Sequence, residues 1–133
     1  MCRRKEEDHI NSFPNFKTEI TDDGSAFDIH FAALFSSKQD AIPIAFFHGW
    51  PGSFLEFLPL LDLLRNKYTP ETLPYHIIVP SLPGYALSSD PPLNKDWKTA
   101  DTARIMHKLL ISLGFGSSAV SYTHLTLPTN REV

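Results

Sequence analysis

The chain has 133 residues, about one domain's worth of sequence. Hydrophobic residues make up 42% and charged residues 20%, a mix that can bury a core and excludes a disordered or low-complexity chain. The net charge of -3 leaves no basic footprint, so no nucleic acid is expected as a partner. No apolar run approaches the ~20 residues that span a bilayer. The charged start, MCRRKEED, is not followed by the apolar stretch of a secretory signal. One cysteine, Cys2, cannot form an internal disulfide and suits a reducing compartment, so a cytoplasmic location is expected.

Residues 1–12 read as a short polar helix with Ile10 as its large apolar group. Pro14 then biases Phe13 away from helix and marks a turn over Ser12–Phe16. Lys17–Thr21 alternates as a strand, Asp22-Asp23-Gly24 signals a turn, and Phe27, Ile29 and Phe31 alternate with Asp28 and His30 as a second strand. A hairpin is expected. Ile42–Phe47 is a continuous apolar run, suited to a strand buried on both faces of a parallel sheet. Ser53 and Glu56 have capping-box spacing at the start of a helix. Phe54, Phe57, Leu58, Leu61 and Leu64 share one face of that helix, and Pro59 predicts a kink or an irregular first turn. Tyr75–Val79 is a further strand. Thr99–Leu113 is a second amphipathic helix, with Ala103, Met106, Leu109, Leu110 and Leu113 as its buried stripe. Asp101 suits the positive end of its dipole, and Gly114 suits a left-handed cap. The order of elements is α/β: an antiparallel hairpin, then parallel strands joined by helices.

The chemistry concentrates in His48-Gly49-Trp50-Pro51-Gly52, between a buried strand and a helix. Open α/β sheets bind ligands beyond the carboxyl ends of their strands. Trp50 keeps a backbone N–H and Pro51 has none, so a donor held by this turn can stabilise an oxyanion. A tight strand-to-helix turn without chemistry fits the same spacing. His48 reads first as a hydrogen-bonded structural residue and second as a base. The acidic residues are scattered singly, and the histidines lack metal-ligand spacing, so no metal is expected. The sequence has no G-x-S-x-G elbow and no phosphate-binding glycine loop.

Several segments in order resemble the N-terminal part of the microsomal-type epoxide hydrolases, members of the α/β-hydrolase fold. They are Ile10–Thr18 (INSFPNFKT), Phe27–Phe31 (FDIHF), Phe47–Phe57 (FHGWPGSFLEF), Ile78–Tyr85 (IVPSLPGY) and Thr102 through Gly116. The resemblance covers about residues 3–118. H-G-x-P is shared with other α/β-hydrolases. The combination of F-P-x-F-K-T with W-P-G-S-F-x-E-F is much more specific. The resemblance implies an incomplete α/β-hydrolase fold and a parent that opens a small-molecule epoxide to a diol without metal or organic cofactor. In that chemistry an aspartate attacks an epoxide carbon to form an ester while lid tyrosines hydrogen-bond the epoxide oxygen. A histidine oriented by a carboxylate then activates water. Backbone N–H groups hold the oxyanion of that second step. The resemblance makes the Trp50 N–H one such donor. It makes Gly49 and Pro51 loop-shaping residues and His48 a structural one.

The family's nucleophile sits on a G-G-D-x-G elbow after the strand that follows Gly114-Phe115-Gly116, whereas no aspartate follows Asp101 here. Tyr122 and His124 do not fall in the family's lid or C-terminal motifs. The chain is therefore expected to be inactive by itself. The resulting division is 1–18, the end of an epoxide hydrolase N-terminal domain; 19–119, the first part of a hydrolase domain; and 120–133, a non-native tail. That tail resembles a translated transposase-type sequencing adapter. A genuine C-terminus is the competing reading, since Val120–Leu127 is rich in β-branched residues and can form a strand. An unpaired edge on the Ile44–Phe47 strand, unpartnered helix faces and poor solubility are also expected. A dehalogenase or esterase relative, or a non-catalytic product that binds a partner through its sheet edge, remains an alternative.

Overall fold

The computed structural model describes residues 2–49, 51–115 and 120–123. Helix α1 (Arg3–Asn11) leads into strands β1 (Asn15–Asp22), β2 (Ser25–Leu34) and β3 (Ile42–Phe47). A 3-10 turn (Phe54–Phe57) then runs directly into α2 (Leu58–Lys67), followed by β4 (Tyr75–Pro80), α3 (Thr99–Ser112) and β5 (Val120–Thr123). The hairpin closes through Asp23 and Gly24, with φ of 50° and 76°, and Asp22 stands opposite Ser25. Two left-handed residues match the twist of the strands they join, which is why an Asp-Gly pair sits there.

The described strands form one sheet in the order β1-β2-β4-β3-β5. The β1–β2 and β2–β4 pairs are antiparallel, and β4–β3 and β3–β5 are parallel. Ile44 stands opposite Val120, and Phe47 opposite Thr123. The expected bare edge on β3 is thus corrected: β5 hydrogen-bonds along it, extending the parallel ladder. The partner, Val120–Thr123, falls within the segment Val120–Leu127 whose β-branched residues suit a strand.

The expectation of unpartnered helices is corrected too. The sheet is covered on both faces, as a parallel α/β sheet requires. On one side Phe54, Phe57, Leu58 and Leu61 pack with Phe13, Ala32, Ile77 and Val79. On the other, Ile105, Met106, Leu109 and Leu110 pack with Ile20, Phe27, Ile29, Phe31, Ala45 and Ile78. Neighbouring residues Ile77 and Ile78 serve opposite faces, so β4 reads as a continuous apolar run. Full burial of one such side chain contributes about 2 kcal/mol.

Ala103 is exposed, and Ile105 takes the place in the α3 stripe that the sequence reading gave to it. Asp101, one turn before Ile105, is buried with it, while Met106, Leu109 and Leu110 are buried as expected. Asp101 accepts the Lys98 N–H at 2.9 Å and pairs with Arg104 at 2.7 Å. Arg104 also forks onto Asp22, Nε to Oδ1 at 2.8 Å and the second nitrogen to Oδ2 at 2.7 Å. Lys108 donates to the same carboxylate at 2.8 Å. These contacts tie α3 to the end of β1. The hydrogen bonds from Arg104 and Lys108 hold the Asp22 carboxyl far below the usual range, and those from Arg104 and Lys98 lower Asp101 to about 2.

The C-terminus of α3 follows its sequence signal. Gly114 has φ of 89°, its N–H reaches the Ile111 carbonyl, and the Phe115 N–H reaches that of Leu110. This is a Schellman cap, satisfying carbonyls that have no partner within the helix. At the start of α2, Pro59 occupies the first turn, where its missing N–H breaks no helical bond. The turn before it is 3-10, the irregularity that Pro59 predicts. No helix among the described residues is long and apolar enough to cross a membrane.

Candidate active site

The residues of the candidate site lie at the carboxyl ends of the parallel strands. His48 follows β3 directly, and Ser81 and Leu82 follow β4. His48 is 1% exposed, and its Nε2 accepts the Leu82 N–H at 3.1 Å. That bond assigns the proton to Nδ1, which faces the Gly49 carbonyl at 3.4 Å. The Tyr85 ring stands edge-on, 4.9 Å away between centroids. Burial lowers the pKa of His48, against smaller opposing effects of the Gly49 carbonyl and the Glu56 charge. A neutral ring with one nitrogen accepting from the backbone ties the β3 loop to the β4 loop.

The loop closes with the Gly52 N–H on the Gly49 carbonyl at 2.8 Å. Gly52 admits no side chain without displacing its neighbour, since a Cβ there would overlap the Glu56 carboxylate. Ser53 caps the following turn, but its hydroxyl accepts from the Leu55 N–H at 3.3 Å rather than from Glu56. The Glu56 N–H reaches the Ser53 carbonyl instead. The capping-box expectation is corrected for that reason: a 3-10 turn brings position three back onto the backbone carbonyl. Pro51 is exposed in the turn, and Trp50 lies outside the described residues.

An open, largely apolar pocket of about 330 Å³ adjoins this loop. Phe47, His48, Leu82, Ala103, Met106 and Leu110 contribute to its lining. The residues from 124 onward, His124 among them, lie outside the described residues.

Sequence reasoning missed a second buried histidine. His30 is 2% exposed in β2. Its Nε2 faces the Asn15 Oδ1 at 2.8 Å, and its Nδ1 faces the Ser81 hydroxyl at 2.8 Å. Asn15 donates its amide hydrogens to the Ile10 and Phe13 carbonyls, which leaves its oxygen to accept from His30. The His30 ring therefore donates from Nε2 and accepts from Ser81 at Nδ1. Burial, with help from the Lys17 charge, lowers its pKa to about 4. Among the described residues, every buried side-chain nitrogen and oxygen has a partner. The His30 ring is enclosed by partners distant in the sequence, Asn15, Ser81 and the Phe54 ring.

Comparison with known proteins agrees with this architecture. Residues 42–120 match the alpha/beta hydrolase fold family, and the chain belongs to that family. Residues 3–57 match the family described as epoxide hydrolase N terminus. The solved Aspergillus niger epoxide hydrolase superposes with a TM-score of 0.86 at 55% identity, covering 92% of this chain and 31% of that one. A Dothistroma septosporum protein, provisionally named an epoxide hydrolase, is 51% identical over 109 residues, covering 81% of this chain and 26% of its own length. Epoxide hydrolase 1 of Sus scrofa is 35% identical over 119 residues, covering 84% of this chain and 25% of its own length. The chain thus spans about a quarter of the length of the curated relatives it matches.

Proposed function

We propose that these residues supply the oxyanion-loop half of an epoxide hydrolase site. The observation that carries this reading is His48, which follows β3 and lines an apolar pocket while bonded to the β4 loop, in a chain whose residues 3–57 match the epoxide hydrolase N terminus. In the reaction proposed for the parent, an aspartate oxygen attacks an epoxide carbon. The carbon–oxygen bond breaks, and the released alkoxide takes a proton from a tyrosine. Water, deprotonated by a histidine, then adds to the ester carbonyl carbon. The Trp50 N–H donates to the oxygen that becomes negative, collapse releases the diol and restores the carboxylate, and the proton held by the histidine returns to the tyrosinate. Gly49 and Pro51 set the direction of the loop. His48, neutral and bonded to Leu82, serves as its anchor and not as the base. The substrate is a small epoxide with apolar substituents, matching the lining of the pocket.

The 133 residues contain no aspartate beyond Asp101, so they do not complete this cycle by themselves. A single oxyanion donor stabilises the second step and gives no nucleophile for the first. The purified chain is expected to hydrolyse styrene oxide no faster than a variant lacking residues 49–52. Turnover above that control overturns this expectation. Sequencing the source gene across the codons for Gly114–Val133 tests the parent reaction. A frame continuing into an aspartate elbow supports it, and a serine elbow replaces it with esterase chemistry.

A further inference from the structure

We infer that His30 and Ser81 are positioning residues for the His48–Gly49 loop, so that the N-terminal segment sets the geometry of the site through a buried, uncharged relay. The importance of the relay for catalysis rests on the oxyanion-loop reading; its existence does not. The relay begins where Asn15, just after α1, holds the Ile10 and Phe13 carbonyls and accepts from His30. His30 then grips Ser81 twice. Its Nδ1 accepts the Ser81 hydroxyl proton at 2.8 Å, and its carbonyl accepts the Ser81 N–H at 2.8 Å. Ser88 closes the other side, with its hydroxyl donating to the Ser81 carbonyl at 2.6 Å and accepting the His30 N–H at 3.0 Å.

Ser81 is fully buried, and its backbone and side chain are all engaged. The next residue, Leu82, gives its N–H to His48 Nε2. A peptide unit pinned on one side by three hydrogen bonds presents its neighbour's N–H in one direction. That direction fixes the His48 ring plane, and His48 precedes Gly49 in the loop. Phe54, from the turn after the loop, stands edge-on to the His30 ring at 4.7 Å, so the loop touches the relay at both of its ends. Phe54 and Phe13 belong to one buried cluster, which keeps the N-terminal segment, the relay and the turn after the loop in one packed unit.

Ser81→Ala removes the hydroxyl and leaves the backbone intact. Hydrogen exchange of the Leu82 amide and the His48 ring nitrogen resonances, recorded on the full chain, read the outcome. We expect Leu82 exchange to rise about tenfold, as for loss of one buried hydrogen bond. The His48 Nε2 resonance is expected to move, while the mid-sheet amides of Ile29 and Ile78 keep their protection. Ser81→Thr, which retains the hydroxyl, is expected to restore both signals. Unchanged Leu82 and His48 signals overturn the proposal. So does an equal loosening of all these amides, which marks a merely structural role. Should Ser81→Ala fail to fold, Ser88→Ala strips one partner from the Ser81 carbonyl and is judged by the same criteria. No substrate enters the measurement, so its result is independent of whether the parent acts on epoxides.

Discussion

Two polar clusters lie on this sheet, and they solve the same problem with opposite chemistry. Around Asp22, at the hairpin end, a buried carboxylate is matched by Arg104 and Lys108, whose side chains are 41% and 38% exposed. Around His30, beside the loops of the candidate site, the groups are uncharged and hydrogen-bonded in sequence. The charged cluster keeps its cations in reach of water and therefore escapes most of the desolvation cost of an enclosed ion pair. The neutral cluster avoids that cost altogether but depends on each proton being in its place. The first pins α3 to β1, and the second lies beside the loop of the candidate site.

Acid separates the two clusters most strongly. His30 has a folded pKa of about 4 against an ordinary value of 6.5, so the unfolded chain binds a proton that the folded chain refuses between those limits. Stability is full above pH 6.5 and falls as the pH drops towards 4, by about 3 kcal/mol in total. Urea unfolding followed by circular dichroism at pH 7.5, 5.5 and 4.5 measures the slope. His30→Gln is expected to flatten it, and an unchanged slope assigns the loss to other groups. Asp22 and Asp101 have lowered folded values, so their contribution persists above the ordinary 3.8 and fades only below it. The neutral cluster fails first.

The next effect comes from breaking the charged cluster. Asp22→Ala leaves Arg104 and Lys108 facing each other, but both can turn to water, so the expected loss is about 2 kcal/mol rather than the larger value of a fully enclosed pair. The Asp22→Ala loss is expected to shrink in 1 M salt, because partly exposed charges are screened. Denaturant midpoints with and without salt check both statements. The smallest effect lies outside both clusters and calibrates them. Gly114→Ala meets no neighbouring atom, so only the left-handed backbone is penalised, by about 1 kcal/mol and without dependence on pH or salt.

Sequence reasoning succeeded where the signal is local. The Asp23-Gly24 turn, the Gly114 cap and the irregular start at Pro59 each depend on a few adjacent residues whose backbone preferences decide the conformation. The apolar runs Ile42–Phe47 and Tyr75–Val79 were legible as strands because burial on both faces removes the alternation of a half-exposed strand. The passage from β3 to the turn and helix that follow was legible for a similar reason, since an apolar run, a glycine-rich stretch and a helical stripe follow one another in the chain.

What the tertiary structure decided is which distant residues meet. Ile105 replaces Ala103 in the core one turn beyond Asp101, whose partner Arg104 also reaches Asp22 on β1, a contact that helical periodicity does not contain. Asp22 and Asp101, far apart in the chain, share Arg104. His30 sits in an alternating strand, and only the meeting of Asn15, Ser81 and Phe54 around its ring makes it a buried, neutral link to the loop after β3. Backbone preference and hydrophobic period are properties of neighbouring residues, so the sequence carries them openly. A hydrogen-bonded relay across segments 15, 30, 48 and 81 exists only once the sheet has brought them within 3 Å or so of one another, the range in which a donor and an acceptor interact.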